Sequence, residues 1–191
     1  IYDIMVIMIP KHFSLETVEL VMTEMKYFPT LLNTLFFSLL IAVIQTAMSL
    51  FVGYGFARFE FPLKKFWFAM VLLTLLITPQ VIIAPLYMKF RFFNLSGFFS
   101  AFFQRSGINL INTIYPFLIS ALTCMGLRNG LFIYVIRQFF RGVPKELEEA
   151  ALIDGANHMS TYFRIMLPTA KSLGITITLF AFVWQYTDIF Y

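Results

Sequence analysis

Charge is scarce in this sequence: 13% of its 191 residues are Asp, Glu, Lys or Arg, whereas 60% are hydrophobic. Soluble domains carry roughly 25% charged residues, so a water-facing surface around the whole chain is excluded. Cysteine is scarcer still. Cys124 is alone in an apolar run, which excludes a disulfide framework and a cysteine metal cluster and leaves it as a small buried hydrophobe. None of the nine glycines opens a GxxxxGKS/T phosphate loop, Gly53-Tyr54-Gly55 being too short to cradle a phosphate, and neither HExxH nor GxSxG occurs. No initiator Met, signal-peptide n-region or targeting motif opens the chain, which begins IYDIMVIMIP and stops inside the apolar run WQYTDIFY, the pattern expected of a fragment.

What is present is apolar bulk, with 25 Phe and a mean hydropathy of +0.81. A helix needs about 20 apolar residues to cross a hydrocarbon core, and four segments are long enough: 31–57, 66–87, 112–136 and 170–191. Their Pro, Gly, Ser, Thr and Asn residues are tolerated where neighbouring helices satisfy the freed backbone groups. The fold class expected is an all-α membrane bundle, multi-pass, with residues 31–191 as its transmembrane domain. By parity the loops after the first and third spans share a side, and they hold Arg58, Lys64, Lys65, Arg137, Arg141, Lys145, Arg164 and Lys171 of the 14 basic residues. The excess of Lys and Arg marks that side as cytoplasmic. The net charge of +4 then reflects topology rather than nucleic-acid binding. Residues 1–30 are expected as an extracytoplasmic amphipathic segment, with Leu15, Val18, Val21, Met22 and Met25 at helical spacing. That segment is suited to the membrane interface or to packing against an extracellular protein. His12 and His158 fall on opposite sides of the membrane, so the two cannot share a metal within one chain, and His158 is expected as a solvated loop residue.

One long polar stretch interrupts the apolar pattern: VPKELEEAALIDGANHMSTYFRIMLP, residues 143–168. Pro144 suits a first helical turn, and Glu146, Glu148 and Glu149 place negative charge where the helix dipole favours it. Gly155 after Asp154 suits a helix stop. Between them Leu147, Ala150, Ala151 and Asp154 recur at helical spacing, giving a short helix one face of small and apolar residues. A second helix can start near Asn157 or Ser160 and is expected to break at Pro168. By pattern alone this is either a plain connector between two spans or a docking element.

The spacing is more specific: Glu149-Ala150-Ala151, three residues, Gly155, nine residues, Ile165, one residue, Leu167-Pro168. It resembles the EAA motif of ABC importer permeases, EAA, x3, G, x9, I, x, LP, at every specified position. GYGFARFEFPLKKF, residues 53–66, looks like the family's cytoplasmic turn after its second span, and ITPQVIIAPLY like the following span with its paired prolines. IYVIRQFFRGVPKELEEAALIDGA is similar to the lead-in of the carbohydrate subfamily, the maltose-type second permease. FVWQYTD is similar to that subfamily's Trp-rich stretch, with Tyr186 and Thr187 intervening. Permeases of this kind usually have six spans, so the resemblance implies that the first and last are missing here.

The resemblance implies a permease subunit of an ATP-driven importer, in a bacterial cytoplasmic membrane, that moves a sugar or oligosaccharide. The helix 145–155 within the coupling loop 143–168 would dock on a cytoplasmic ATPase, with Glu148, Glu149, Ala150, Ala151, Asp154 and Gly155 as the coupling residues. The chain would hold no catalytic residues, metal or cofactor of its own, because ATP and Mg bind the partner ATPase. Implied partners are two ATPase copies, a second homologous permease, an extracytoplasmic solute-binding protein and the lipid bilayer. Arg58, Lys64 and Lys65 read as positive-inside anchors rather than specific contacts. Other classes remain: a permease for a non-sugar solute, a non-transporting membrane scaffold, or an intramembrane enzyme. The last would need paired catalytic groups, and apart from Lys171 at the very start of the fourth span the expected spans hold only Arg128 and Asp188 as charges.

Arg128 lies nine residues before Arg137, roughly 13 Å deeper at about 1.5 Å per residue, near the bilayer midplane. Asp188 is too far along the bilayer normal, by about 12 Å, to pair with it comfortably. An intramembrane Arg needs a partner or a wet cavity. It can meet a carboxylate of another subunit or a helix-end carbonyl. Alternatively Arg128 and Asn129, with Trp184 and Asp188, line the substrate pathway, where a guanidinium can bond sugar hydroxyls or a uronate carboxylate.

Overall fold

A computed structural model describes residues 16–77, 79–91, 109–126 and 128–187. Those residues are helical or turn, with no strand among them. In chain order the helices are α1 (Glu16–Glu24), α2 (Tyr27–Arg58), α3 (Lys64–Leu76), α4 (Pro79–Arg91), α5 (Tyr115–Leu122), α6 (Asn129–Gly142), α7 (Glu146–Ile153) and α8 (His158–Thr161). A π-helical turn (Tyr162–Met166), α9 (Leu167–Thr169) and α10 (Lys171–Tyr186) complete the series. By compactness the chain divides into residues 1–37 and 38–191. In the first unit α1 forms where helical spacing predicts it, and its apolar residues Val18, Val21 and Met22 are exposed. Leu15 and His12 lie outside the described residues.

The longest helix, α2, has 32 residues, about 48 Å at 1.5 Å per residue and ample for a hydrocarbon core. Its buried positions are Ser38, Ile41, Ala42, Gln45, Thr46, Ser49, Leu50, Gly53 and Tyr54, a strict alternation of steps of three and one that defines a single face. Apart from Ile41 and Leu50 that face is small or polar, whereas Phe36, Leu39, Val43 and Phe51 are exposed. A water-soluble helix does the opposite. In lipid the outward face loses nothing by being apolar, and small inward residues let helices approach closely.

Among the described residues α2 is the one unbroken helix long and apolar enough to span a membrane. Two of the other three expected spans are interrupted, each for a local reason, and within the described residues the one expected at 170–191 is a single helix, α10. The span expected at 66–87 is two helices: α3 stops before Ile77, whose backbone is extended, and α4 opens on Pro79. Proline has no N–H to continue a helix and disfavours helical backbone before it.

The span expected at 112–136 divides into α5 and α6. Met125 N–H donates to the Ser120 carbonyl at 2.8 Å and Cys124 N–H to the Ala121 carbonyl at 3.3 Å. These are the two bonds of a Schellman ending, and they place Cys124 in the left-handed region (φ 56°). Cys124 is thus a partly exposed turn residue, not the buried hydrophobe expected. Before α10 the axis bends by 75°. The expected break at Pro168 falls at Ala170 instead. The π-helical turn precedes Pro168, which sits in the first turn of α9, where its missing N–H deprives no partner.

The core of residues 38–191 gathers Leu50, Tyr54, Ile136, Phe140, Tyr162, Met166 and Ile177. Tyr54 is its centre, with ring centroids 5.4 Å from Phe140 and 4.9 Å from Tyr162. Parallel helices α2 and α6 touch along their length. Gln45 and Ser49 meet Asn129, Gly53 meets Ile136, and Arg58 meets Val143. A Cβ at Gly53 would lie 2.5 Å from Ile136 Cγ2 and 2.8 Å from its Cβ. Gly53→Ala is therefore expected to push the helices apart and cost about 1–3 kcal/mol, the usual range for overpacking. Gly55, with nothing within 4 Å of its would-be Cβ, is the control: thermal unfolding of the purified protein should fall for Gly53→Ala and hold for Gly55→Ala.

Candidate functional site

Helix α7 projects from the core on one side only. Ala151 is buried, while Glu146, Leu147, Glu149, Ala150, Leu152, Asp154 and Gly155 are exposed and Ile153 is 85% exposed. Glu146, Glu149, Ala150 and Ile153 stand at positions i, i+3, i+4 and i+7 and so share the outer face. Three acidic residues occupy the first turn, where the free N–H groups and the helix dipole stabilise negative charge. An outer face with one methyl side chain at its centre lets another protein surface come close.

The end of α7 is fixed by Gly155. Ala156 N–H donates to the Ala151 carbonyl at 3.0 Å, and Gly155 N–H to the Leu152 carbonyl at 3.1 Å. This Schellman ending requires a left-handed residue, and Gly155 has φ +83°. The chain then reverses into α8, whose first turn is capped by the Asn157 side chain accepting from Ser160 N–H at 2.7 Å. His158 is exposed, with its ring edge-on to Phe59 at 5.6 Å.

The start of the loop is held from α2. The Arg58 side chain is 6% exposed, and its Nε lies 2.7 Å from Glu148 Oε1, in a carboxylate side chain 15% exposed. The approach is an ion pair without hydrogen-bond alignment. Arg58 Nη2 does donate a hydrogen bond, to the Val143 carbonyl at 2.7 Å. Val143 is the residue after the last turn of α6, and its carbonyl belongs to the negative end of that helix. One guanidinium therefore joins the end of α6 to the first turn of α7. Arg137 of α6 returns the favour to α2, with Nε donating to the Phe56 carbonyl at 3.3 Å and the guanidinium 3.9 Å from the Phe68 ring. Lys64 is taken up by Glu60 at 2.9 Å, and its hydrogen bond holds the Glu60 carboxyl below the usual range. Arg58 was expected as a surface anchor. It is a buried specific contact, and the only hint in the sequence was its place in the GYGFAR run.

Arg128 precedes α6 with left-handed backbone (φ 55°). Its guanidinium is 4.3 Å from the centre of the Trp184 ring, a cation–π contact that neither expected partner, carboxylate or carbonyl, anticipates. Phe132 stacks near-parallel on Trp184 at 5.6 Å. Asn129 is 3% exposed, and its Oδ1 accepts from Gln45 Nε2 at 2.8 Å and Ser49 Oγ at 3.1 Å. The structure thus brings Arg128, Asn129 and Trp184 together, with Arg128 exposed, Trp184 half-buried and Asn129 inside. Asp188 lies outside the described residues. Beside Gln45 a cavity of about 10 Å³ is lined by Ser120, Gly126 and Gln185, room for roughly one water. A wider groove of about 780 Å³ between α2 and α10 is lined mainly by apolar side chains such as Val43, Leu50, Phe51 and Ile175 and offers few polar handles.

Residues 45–189 match the family described as binding-protein-dependent transport system inner membrane component. A probable ABC transporter permease protein of Pyrococcus horikoshii is 31% identical over 80% of this chain and 50% of its own length. The arabinooligosaccharides transport system permease protein AraQ of Halalkalibacterium halodurans is 29% identical over 71% and 42%. The diacetylchitobiose uptake system permease protein NgcG of Streptomyces coelicolor is 27% identical over 92% and 52%. The chain spans about half the length of these curated relatives. With a match across most of its residues, including α2 from Gln45 onward and the whole of α6 and α7, the chain belongs to the inner-membrane permease components of binding-protein-dependent ABC transport systems.

Proposed function

We propose that this chain is the permease subunit of an ATP-driven importer that carries a sugar or oligosaccharide across the cytoplasmic membrane. The observation that carries this reading is α7. It is a short, acid-started helix whose outer face has Ala150 at its centre, fixed at one end by Arg58 and at the other by Gly155. Glu149, Ala150, Asp154 and Gly155 form the docking surface for an ATPase subunit, while Glu148 and Ala151 hold the helix to the bundle. The ATPase, present in two copies, binds ATP and Mg and supplies the work. A second permease completes the path, and an extracytoplasmic binding protein delivers the solute. Relatives whose names specify arabinooligosaccharide and diacetylchitobiose transport support a sugar as cargo.

The test is ATP-driven uptake in vesicles by the full-length permease reconstituted with its partner subunits. Glu149→Lys reverses a charge on the outer face, and Gly155→Pro removes the N–H that closes the helix end and forces a negative φ. Both are expected to reduce solute moved per ATP at least about tenfold, the equivalent of 1.4 kcal/mol of coupling, with the complex still assembled. Uptake at the wild-type ratio in either variant counts against docking through α7.

Within this reading Arg128, Asn129, Trp184 and Asp188 belong to the substrate pathway. Arg128 and Trp184 present a cation and an aromatic ring, the usual pair for a hydroxylated or carboxylated ring, and Asn129 is the buried support that fixes the backbone beneath them. Arg128→Gln keeps the side-chain length but loses the charge. It is expected to lower uptake about tenfold or more, as charge-assisted hydrogen bonds worth roughly 1.5–3 kcal/mol are lost, and to change the order of preference among neutral and acidic sugars. Competition uptake measures that order. Loss of assembly with an unchanged order in the surviving complexes means that Arg128 serves packing instead.

A further inference from the structure

We propose that Arg58 is the positioning residue that makes the docking helix α7 and the helix pair α2–α6 a single lever. This deepens the reading of α7 as a docking helix and rests on it. Arg58 is the last residue of α2 and binds two elements at once, the Val143 carbonyl at the end of α6 and the Glu148 carboxylate in the first turn of α7. Both contacts are shielded from water, so neither charge can exchange its partner for solvent without exposing the loop.

The pair it grips is stiff. At the opposite end Gln45 and Ser49 of α2 converge on Asn129, the first residue of α6. At mid-length Gly53 admits Ile136 with no space to spare. From Gln45 to Arg58 is 13 residues, about 20 Å of helix. A displacement of α7 at the Arg58 end reaches Asn129 as movement of a rod, because a packed, hydrogen-bonded interface has discrete arrangements and deforms little in between. Asn129 adjoins Arg128, whose left-handed backbone and stack on Trp184 make it the first group beyond the rod to change position. Without Arg58 the docking helix is still attached through Val143-Pro144-Lys145, but by a non-helical link that can swing.

The experiment uses the same reconstituted full-length complex and reads the ratio of solute moved to ATP hydrolysed. Arg58→Gln and Glu148→Gln are each expected to lower that ratio about tenfold, the scale set by coupling energies of contacting charged residues. The double variant should be no worse than Arg58→Gln alone, because that substitution already removes the contact that Glu148→Gln removes. The exchange Arg58→Glu with Glu148→Arg should recover part of the ratio. A contact needed only for folding would change the yield of complex and leave the ratio per assembled complex untouched. An assembled Arg58→Gln complex with the wild-type ratio overturns the proposal, as do additive losses in the double variant. If both single variants fail to assemble, the pair is a folding contact and the proposal falls. Glu149→Lys run alongside separates the two readings. Uncoupling by Glu149→Lys with a normal ratio in Arg58→Gln removes the lever alone, whereas a normal ratio in both removes docking through α7 as well.

Discussion

A guanidinium held out of water between a helix end and a carboxylate fixes the geometry of the whole polar loop. Arg58 costs free energy to bury, and Val143 and Glu148 supply the acceptors that offset that cost. Each of the three groups would be unfavourable there alone: a cation without counter-charge, a helix-end carbonyl without a donor, a carboxylate packed beside the Tyr54 ring. Together they specify where α7 begins and which of its faces turns inward. The outward face is then what remains, an acidic first turn and a row with Ala150 at its centre.

The same logic extends along α2. Its inward stripe of Ser38, Gln45, Thr46 and Ser49 would be a defect in a soluble core. Here it brings donors to Asn129 and leaves the apolar side chains of Phe36, Val43 and Phe51 exposed on the outer side of the helix. Reciprocal contacts by two arginines, Arg58 on the end of α6 and Arg137 on the end of α2, satisfy carbonyls that a helix cannot satisfy for itself. With these two contacts at one end and Asn129 bonded to Gln45 and Ser49 at the other, the parallel pair can transmit force without melting.

Departures from regular helix cluster where movement or recognition is proposed. Cys124 and Arg128 adopt left-handed backbone without being glycine, at a cost of about 1–2 kcal/mol each. They bracket the turn that carries Arg128 against Trp184. The π-helical turn and the 75° bend at Ala170 lie between α7 and α10, so the docking loop returns to the membrane through a wide and irregular turn.

Composition and spacing in the sequence were enough to show an all-helical membrane chain, the long span at α2, and a short helix ended by Gly155. Each of these depends on local physics: hydropathy over 20 residues, the dipole preference of Glu146, Glu148 and Glu149, and the left-handed backbone that a helix stop demands. The EAA spacing also made the family legible, because that motif is written in one short run of residues. The breaks within two expected spans, and the bend ahead of the last, were not legible in the same way. Prolines marked one of them, but the turn at Cys124 has no glycine to announce it, and hydropathy does not distinguish a straight helix from two halves. Nor could the sequence show that Arg58 meets Glu148, 90 residues away, or that Arg128 finds an aromatic ring rather than an anion. Those pairings are decided by which helices lie side by side. That depends on how small faces such as Gly53 admit large ones such as Ile136, a matter of three-dimensional fit that no single stretch of residues contains.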